Sequence, residues 1–160
     1  MVDKNQAIID YLLTCPILAK NDVFFNFAQE QDENKQIVTQ ATDKALERPY
    51  IDGSVLKQYT FTLIDYRSIV YQALATTIAY SNENVDEMFD VQSIIDWVDE
   101  QEDNHNYPNF GEDCVIDEIH ALTDSPNLNG VDKDTTPNLA KYSIAIRVIY
   151  IDYSKCIWGR

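Results

Sequence analysis

The sequence predicts an α+β fold: a mainly antiparallel β-sheet flanked by an N-terminal helix and one long central helix. Three observations point there. Apolar residues recur at helical spacing in two stretches, 4–15 and 84–103. Elsewhere they alternate with polar residues or form short β-branched and aromatic runs. The connections read as hairpins and loops, not as the helical crossovers of a parallel sheet. With 160 residues and 45% hydrophobic content, the chain suits one domain, 1–160, with a packed core.

Asp3, followed three residues later by Gln6, has the form of a capping box. Ile8, Ile9, Leu12, Leu13 and Cys15 then share a helical face, and Pro16 closes a helix expected over residues 4–15. The run Val23-Phe24-Phe25-Asn26-Phe27-Ala28 has strand composition. Residues 29–53 are polar, punctuated by Pro49 and Asp52-Gly53, and are expected to be mostly loop with a strand near 36–41. Tyr59, Phe61 and Leu63 alternate with Gln58, Thr60 and Thr62, the period of a half-buried strand over 55–66. Residues 67–81 fit either its continuation or an extended excursion.

Asn84 with Glu87 marks the expected start of the second helix. Val85, Met88, Phe89, Gln92, Ile95 and Val98 line one face, and Val91, Ile94 and Trp97 widen it. The other face carries like-charge pairs, Asp86/Asp90, Asp96/Glu100 and Asp99/Asp103, each costing roughly 0.2–0.5 kcal/mol. Glu102 and Asp103 also stand where the helix dipole disfavours anions. Burial of the apolar face, about 1.5–3 kcal/mol per large side chain, is the larger effect. Residues 105–113 read as loop. Residues 114–122 read as a strand that puts Cys114, Ile116, Glu118 and His120 on one face, and 123–138 as a second long loop. The final run, 142–153 (YSIAIRVIYIDY), is apolar on both faces, which suits a central strand or an edge that a partner covers.

Charge is distributed unevenly along the chain. Twelve Lys+Arg oppose 27 Asp+Glu, a formal net charge of −15. Residues 68–132 hold fifteen acids and no Lys or Arg, and the rest of the chain balances twelve acids with twelve bases. A basic surface that grips phosphate backbones is thereby excluded. An acidic surface that a polyanion passes without adhering is compatible, as is a solvated face that maintains solubility. No apolar run is long enough to span a bilayer, and the opening MVDKNQAIID lacks a signal core. Cys15, Cys114 and Cys156, odd in number and widely spaced, fit free thiols in a reducing cytoplasm.

Catalytic and ligand motifs fail one by one. His105 near Glu102 and Asp103 lacks metal-ligand spacing, and the stretch from Ser125 to Thr136 lacks the Glu that closes an EF-hand. Four scattered glycines make no phosphate cradle. Cys114 and His120, six residues apart on one strand, stand about 20 Å from each other, too far for a nucleophile and its base. His120 with Asp124 gives H-x-x-x-D without the flanking His and Gly of an acyl-transferase. No enzyme, cofactor or metal site is expected.

The segments VFFNFAQEQ, DGSVLKQYTFTLIDYRS and NVDEMFDVQSIIDWVDEQ together resemble small proteins from tail modules of Gram-positive phages and prophages. The family they are similar to is the tail terminator, or tail completion, proteins. That resemblance implies an α+β subunit of a ring, usually a hexamer, seated on the finished tail tube. The ring ends tube polymerisation and meets the head-side connector. DNA passes through its channel without specific binding, and no chemistry is involved. The implied setting is the virion tail, with the host cytoplasm during assembly and no membrane.

On this reading Asp96, Asp99, Glu100 and Asp103 are the candidate lumen-facing acidic surface. The last strand supplies the candidate subunit interface, Arg147, Ile149, Ile151 and Tyr153, while Tyr59, Phe61, Ile146, Val148 and Tyr150 are expected core. Arg147, a lone charge in an apolar strand, is expected to pair with an acid of its own or a neighbouring subunit. The long loops 29–53 and 122–141 are candidate contacts to tube or connector. A head–tail neck protein, or an acidic DNA mimic working through residues 68–132, are the alternatives.

Overall fold

The computed structural model describes residues 3–18, 22–25, 35–40, 47–68, 73–74, 77–78, 82–132 and 139–157. Helix α1 spans Lys4–Leu12. Asp3 caps it: extended at φ −74° and ψ 111°, its carboxylate accepts the Asn5 N–H at 2.9 Å. The reciprocal half of the expected capping box is missing, because the Gln6 amide donates forward to Asp10 at 2.8 Å. The helix ends three residues before Cys15, yet Cys15 and Leu18 stay buried in the turns that follow.

Strands β1 (Asp22–Phe25), β2 (Lys35–Gln40), β3 (Arg48–Pro49) and β4 (Val55–Ser68) follow. The expected strand continuation over Asn26–Ala28 and parts of the 29–53 loop lie outside the described residues. Residues 67–81 resolve both ways: β4 runs on to Ser68, and β5 (Ala73–Leu74) and β6 (Thr77–Ile78) form a small separate sheet. Helix α2 spans Asn82–Asp103, starting two residues before the expected Asn84. Then come β7 (Cys114–Ala121), β8 (Asn127–Asp132) and β9 (Leu139–Asp152). The expected 123–138 loop therefore contains a strand. Its Asn-, Asp- and Gly-rich composition hides it, and pairing with β9 supplies what propensity does not.

The main sheet has seven strands, ordered β1-β2-β4-β9-β7, with β3 also on β4 and β8 also on β9. All its pairings are antiparallel except β1 with β2. β4 and β9 are its spine, matched residue by residue from Val55↔Asp152 to Ser68↔Leu139. Of the two positions open to the last strand, β9 takes the central one, with β4 on one side and β7 and β8 sharing the other.

Both helices cover one side of this sheet. The core joins Ile8, Tyr11 and Leu12 of α1 and Val91, Ile94, Ile95 and Val98 of α2 to Tyr59, Phe61 and Leu63 of β4. Tyr142, Ile144, Ile146, Val148 and Tyr150 of β9 complete it. Gly53 turns the chain into β4 at φ +90°, where a Cβ would collide with the Lys155 carbonyl, so only glycine fits.

Candidate acidic surface and subunit contact

The acidic face of α2 follows from its burial pattern. Val91, Ile94, Ile95 and Val98 turn into the core, none more than 2% exposed. At 3.6 residues per turn that directs Asp96, Asp99, Glu100 and Asp103 outward, and all four are exposed. The helix runs along the β7 margin of the sheet. Its Glu102 carboxylate accepts the Ile119 N–H at 2.8 Å, a donor that β9 does not use. The Tyr107 hydroxyl donates to the Asp117 carbonyl at 3.3 Å, and the Gln92 amide to the Asp124 carbonyl at 2.9 Å. The margin is thus capped by side chains, the usual protection of an edge strand against unwanted pairing. Glu102, unfavourably placed for the helix dipole, earns its position by that hydrogen bond.

The Asp99 carboxyl pKa is raised from its ordinary value. Partial burial is the main cause, followed by Asp96 and Asp103, with Asp124 adding to the rise and His120 opposing it. Asp124 therefore belongs to the acidic patch, although sequence order gives no sign of it. Among the described residues no Lys or Arg ion-pairs with any member of this patch.

The candidate contact residues lie across β9 from the core. Tyr142, Ile144, Ile146, Val148 and Tyr150 point under the helices at 7% exposure or less. Arg147, Ile149 and Ile151 point to the other side and are half-buried. Tyr153 lies just past the strand, its N–H donating to the Asp113 carbonyl at 2.7 Å. Register sets Thr60 and His120 on either side of Arg147, Gln58 and Glu118 beside Ile149, and Leu56 and Val115 beside Ile151.

One expectation is corrected here. A β-bulge between Ile116 and Glu118 reverses the facing of β7. Cys114 and Ile116 share the core-side register, whereas Glu118 and His120 pair with Ile149 and Arg147 on the open side. Cys114 and His120 are thus on opposite faces, not one. Arg147, in turn, has no acid partner among the described residues, and its Nε is buried without a hydrogen bond. The reason is local: Glu118, the nearest acid in register, is taken by His120, with Nε2 at 2.6 Å from its carboxylate.

Burial pushes the Cys15 and Cys114 thiols up, away from the reactive thiolate. Among the described residues no group of three or more His, Cys, Asp or Glu is arranged to hold a metal ion. An open cleft of about 470 Å³ lies between α1 and residues 106–109, lined by Asp3, Gln6, Asp10, Tyr11, Asn106 and Tyr107. Of the long loops, 29–53 ends in a hairpin tip where Ile51 is 97% exposed, held to the C-terminal turn by the Ile157 N–H on the Asp52 carbonyl at 2.7 Å. The 122–141 loop exposes Leu122 and Leu128. Among the described residues, no helix is long and apolar enough to cross a membrane. No protein-family model matches the chain, and no curated protein matches it in sequence.

Proposed function

We propose that this chain is a structural subunit of a phage tail, forming a ring, hexameric in the virion, that caps the tail tube. The ring ends tube polymerisation, joins the tube to the head-side connector and lets DNA through. The observation that carries this reading is the exposed patch Asp96, Asp99, Glu100, Asp103 and Asp124, unmatched by any base among the described residues. It runs along one margin of the sheet. Copies arranged with that margin inward line a channel with carboxylates, which repel duplex phosphates and keep DNA from adhering. The resemblance of the three segments to tail terminator proteins supports the same role.

Assembly of copies that each carry a formal charge of −15 is opposed by their mutual repulsion. At about 0.15 M salt that repulsion is screened over about 8 Å, so contact surfaces away from the patch can outweigh it. The exposed hairpin tip at Ile51 and the apolar Leu122 and Leu128 are suited to meet the tube protein or the connector. The subunit works in the virion tail and, during assembly, in the host cytoplasm; the role needs no cofactor and no catalysis.

Deleting the gene from its phage or prophage tests the reading by electron microscopy of the particles. Tails of uncontrolled length without heads are the expected result. Tails of normal length that fail to join heads would move the chain to the neck, and normal virions would overturn the proposal. A chain that stays monomeric and binds a basic DNA-handling protein would point instead to a DNA mimic.

A further inference from the structure

On the open side of the sheet Arg147 has no acid partner among the described residues. Arg147 sits mid-strand between Thr60 and His120, flanked by the apolar Ala145 and Ile149, with Nε buried and unbonded. By strand register this side also carries Arg48, Lys141 and Asp132, with Asp22 and Lys35 at its far edge, besides Glu118 held by His120. A half-buried guanidinium left without a carboxylate is costly, and one that meets a carboxylate on association gains both the Coulomb attraction and bidentate geometry.

The opposite side of the molecule has the complementary character. Helix α1 lies over the middle of the sheet: the Tyr59 hydroxyl bonds to the Asn5 side chain, and the Lys4 ammonium stands 5.7 Å from the Tyr150 ring centre. Its outer side therefore faces directly away from Arg147. Asp3, Gln6, Asp10, Leu13 and Thr14 are exposed there, two of them acids. Asp3 is engaged as the helix cap, which leaves Asp10, bonded among the described residues to the neighbouring Gln6 amide alone, as the available carboxylate on this face.

We propose that the open sheet face of one copy seats on the outer face of α1 of the next, with Arg147 taking the neighbour's Asp10 carboxylate and Ile149 and Ile151 packing near its Leu13. A contact between opposite sides of one molecule is heterologous, and copies joined that way close into a ring when the rotation permits. The acidic patch belongs to neither surface, because α2 borders the β7 margin, so it remains free to face a channel. The inference rests on the ring reading for its closure, but the contact itself is testable alone.

The test is sedimentation of the full chain over a range of concentrations at about 0.15 M salt, with Arg147→Glu, Asp10→Arg and the double variant. The native chain is expected to self-associate, each single variant to do so at least about tenfold more weakly, and the double variant to recover most of the loss. Near-ultraviolet circular dichroism checks that each variant is folded. Native-like association of folded single variants, no recovery in the double variant, or a native chain monomeric throughout would each overturn the contact. Arg147-dependent association together with normal virions from the gene deletion would overturn the tail role and leave the contact standing. Overlong tails with Arg147-independent association would do the reverse.

Discussion

Along β9, neighbouring residues live in two environments. Ile146 and Val148 are fully buried beneath the helices, whereas Arg147 and Ile149, one position on from each, are half-buried on the open side. The two sides also treat charge differently. On the covered side Lys57 meets Asp152 at 2.9 Å, and Lys4 sits over Tyr150. On the open side Arg147 has no acid, and along the adjoining margin Asp96, Asp99 and Asp124 have no base among the described residues. Charges that serve the fold of this subunit are paired within it. Those left over are placed where a neighbour or a passing polyanion would meet them.

Truncation of the two sides in turn is the strongest way to break that comparison. Ile146→Ala opens a cavity in the core and is expected to cost about 2–5 kcal/mol in denaturant unfolding of the dilute chain. Ile149→Ala, on the open side, is expected to cost about 1 kcal/mol or less under the same conditions. Equal losses would mean that the open side is core. Next in size is the capped margin. Glu102→Ala strands the Ile119 N–H and is expected to cost about 1–2 kcal/mol, while Glu102→Gln, which keeps an acceptor oxygen, costs less. Indistinguishable unfolding of the two variants would remove Glu102 from its capping role.

The paired charge on the covered side makes a pH-dependent prediction. Burial of the Asp152 carboxylate pushes its pKa up, but hydrogen bonds from Lys57 and Ser154 outweigh that and bring it down from 3.8 to about 2. A carboxylate depressed on folding stabilises the fold at pH values above its unfolded pKa, and the contribution is lost as pH falls through the folded one. The native chain should therefore exceed Asp152→Asn in unfolding free energy by about 1–2 kcal/mol at neutral pH. That gap should close between about pH 4 and pH 2, as followed by urea titrations at several pH values. A gap that persists at the acid end would show that the variant acts by repacking and not through charge.

Much of this arrangement can be read in the amino-acid order. The alternation around Phe61 and the helical spacing of Val91, Ile94 and Val98 report burial directly, because one side of each element is apolar. The centrality of β9 is foreshadowed by a strand whose two sides both tolerate burial. What resists reading is whatever depends on register between distant segments. One extra residue between Ile116 and Glu118 turns His120 and Glu118 together to the open side, where they hold each other and leave Arg147 without an acid among the described residues. Period-2 counting cannot detect a bulge, since the pattern on each side of it is intact. The same holds for β8, whose Asn127, Asn129 and Gly130 look like loop and become strand through β9. Asp96, Asp99, Glu100 and Asp103 emerge as one exposed stripe from helical spacing alone. Asp124 joins them only because Gln92 holds its carbonyl, a contact between residues 32 apart in sequence.

The smallest expected effect sharpens the comparison from the unpaired side. Asp99 is raised on folding, first by partial burial and then by Asp96 and Asp103, so its linkage runs opposite to that of Asp152. A carboxylate with a raised folded pKa favours the fold when protonated, and that advantage is lost as pH rises through the folded value. Its charge, opposed by burial and by Asp96 and Asp103, is therefore a mild liability to its own subunit. Asp99→Asn is expected to stabilise the dilute chain by about 0.2–0.5 kcal/mol at low salt and neutral pH. The gain should fade as salt screens the patch and as acid protonates the native residue. Thermal unfolding of the two proteins side by side, at two salt concentrations and at neutral and acid pH, measures it. A loss of stability at neutral pH would mean that Asp99 is held by an attraction within the subunit, and the patch would then be part of the fold rather than a surface maintained at some cost to it.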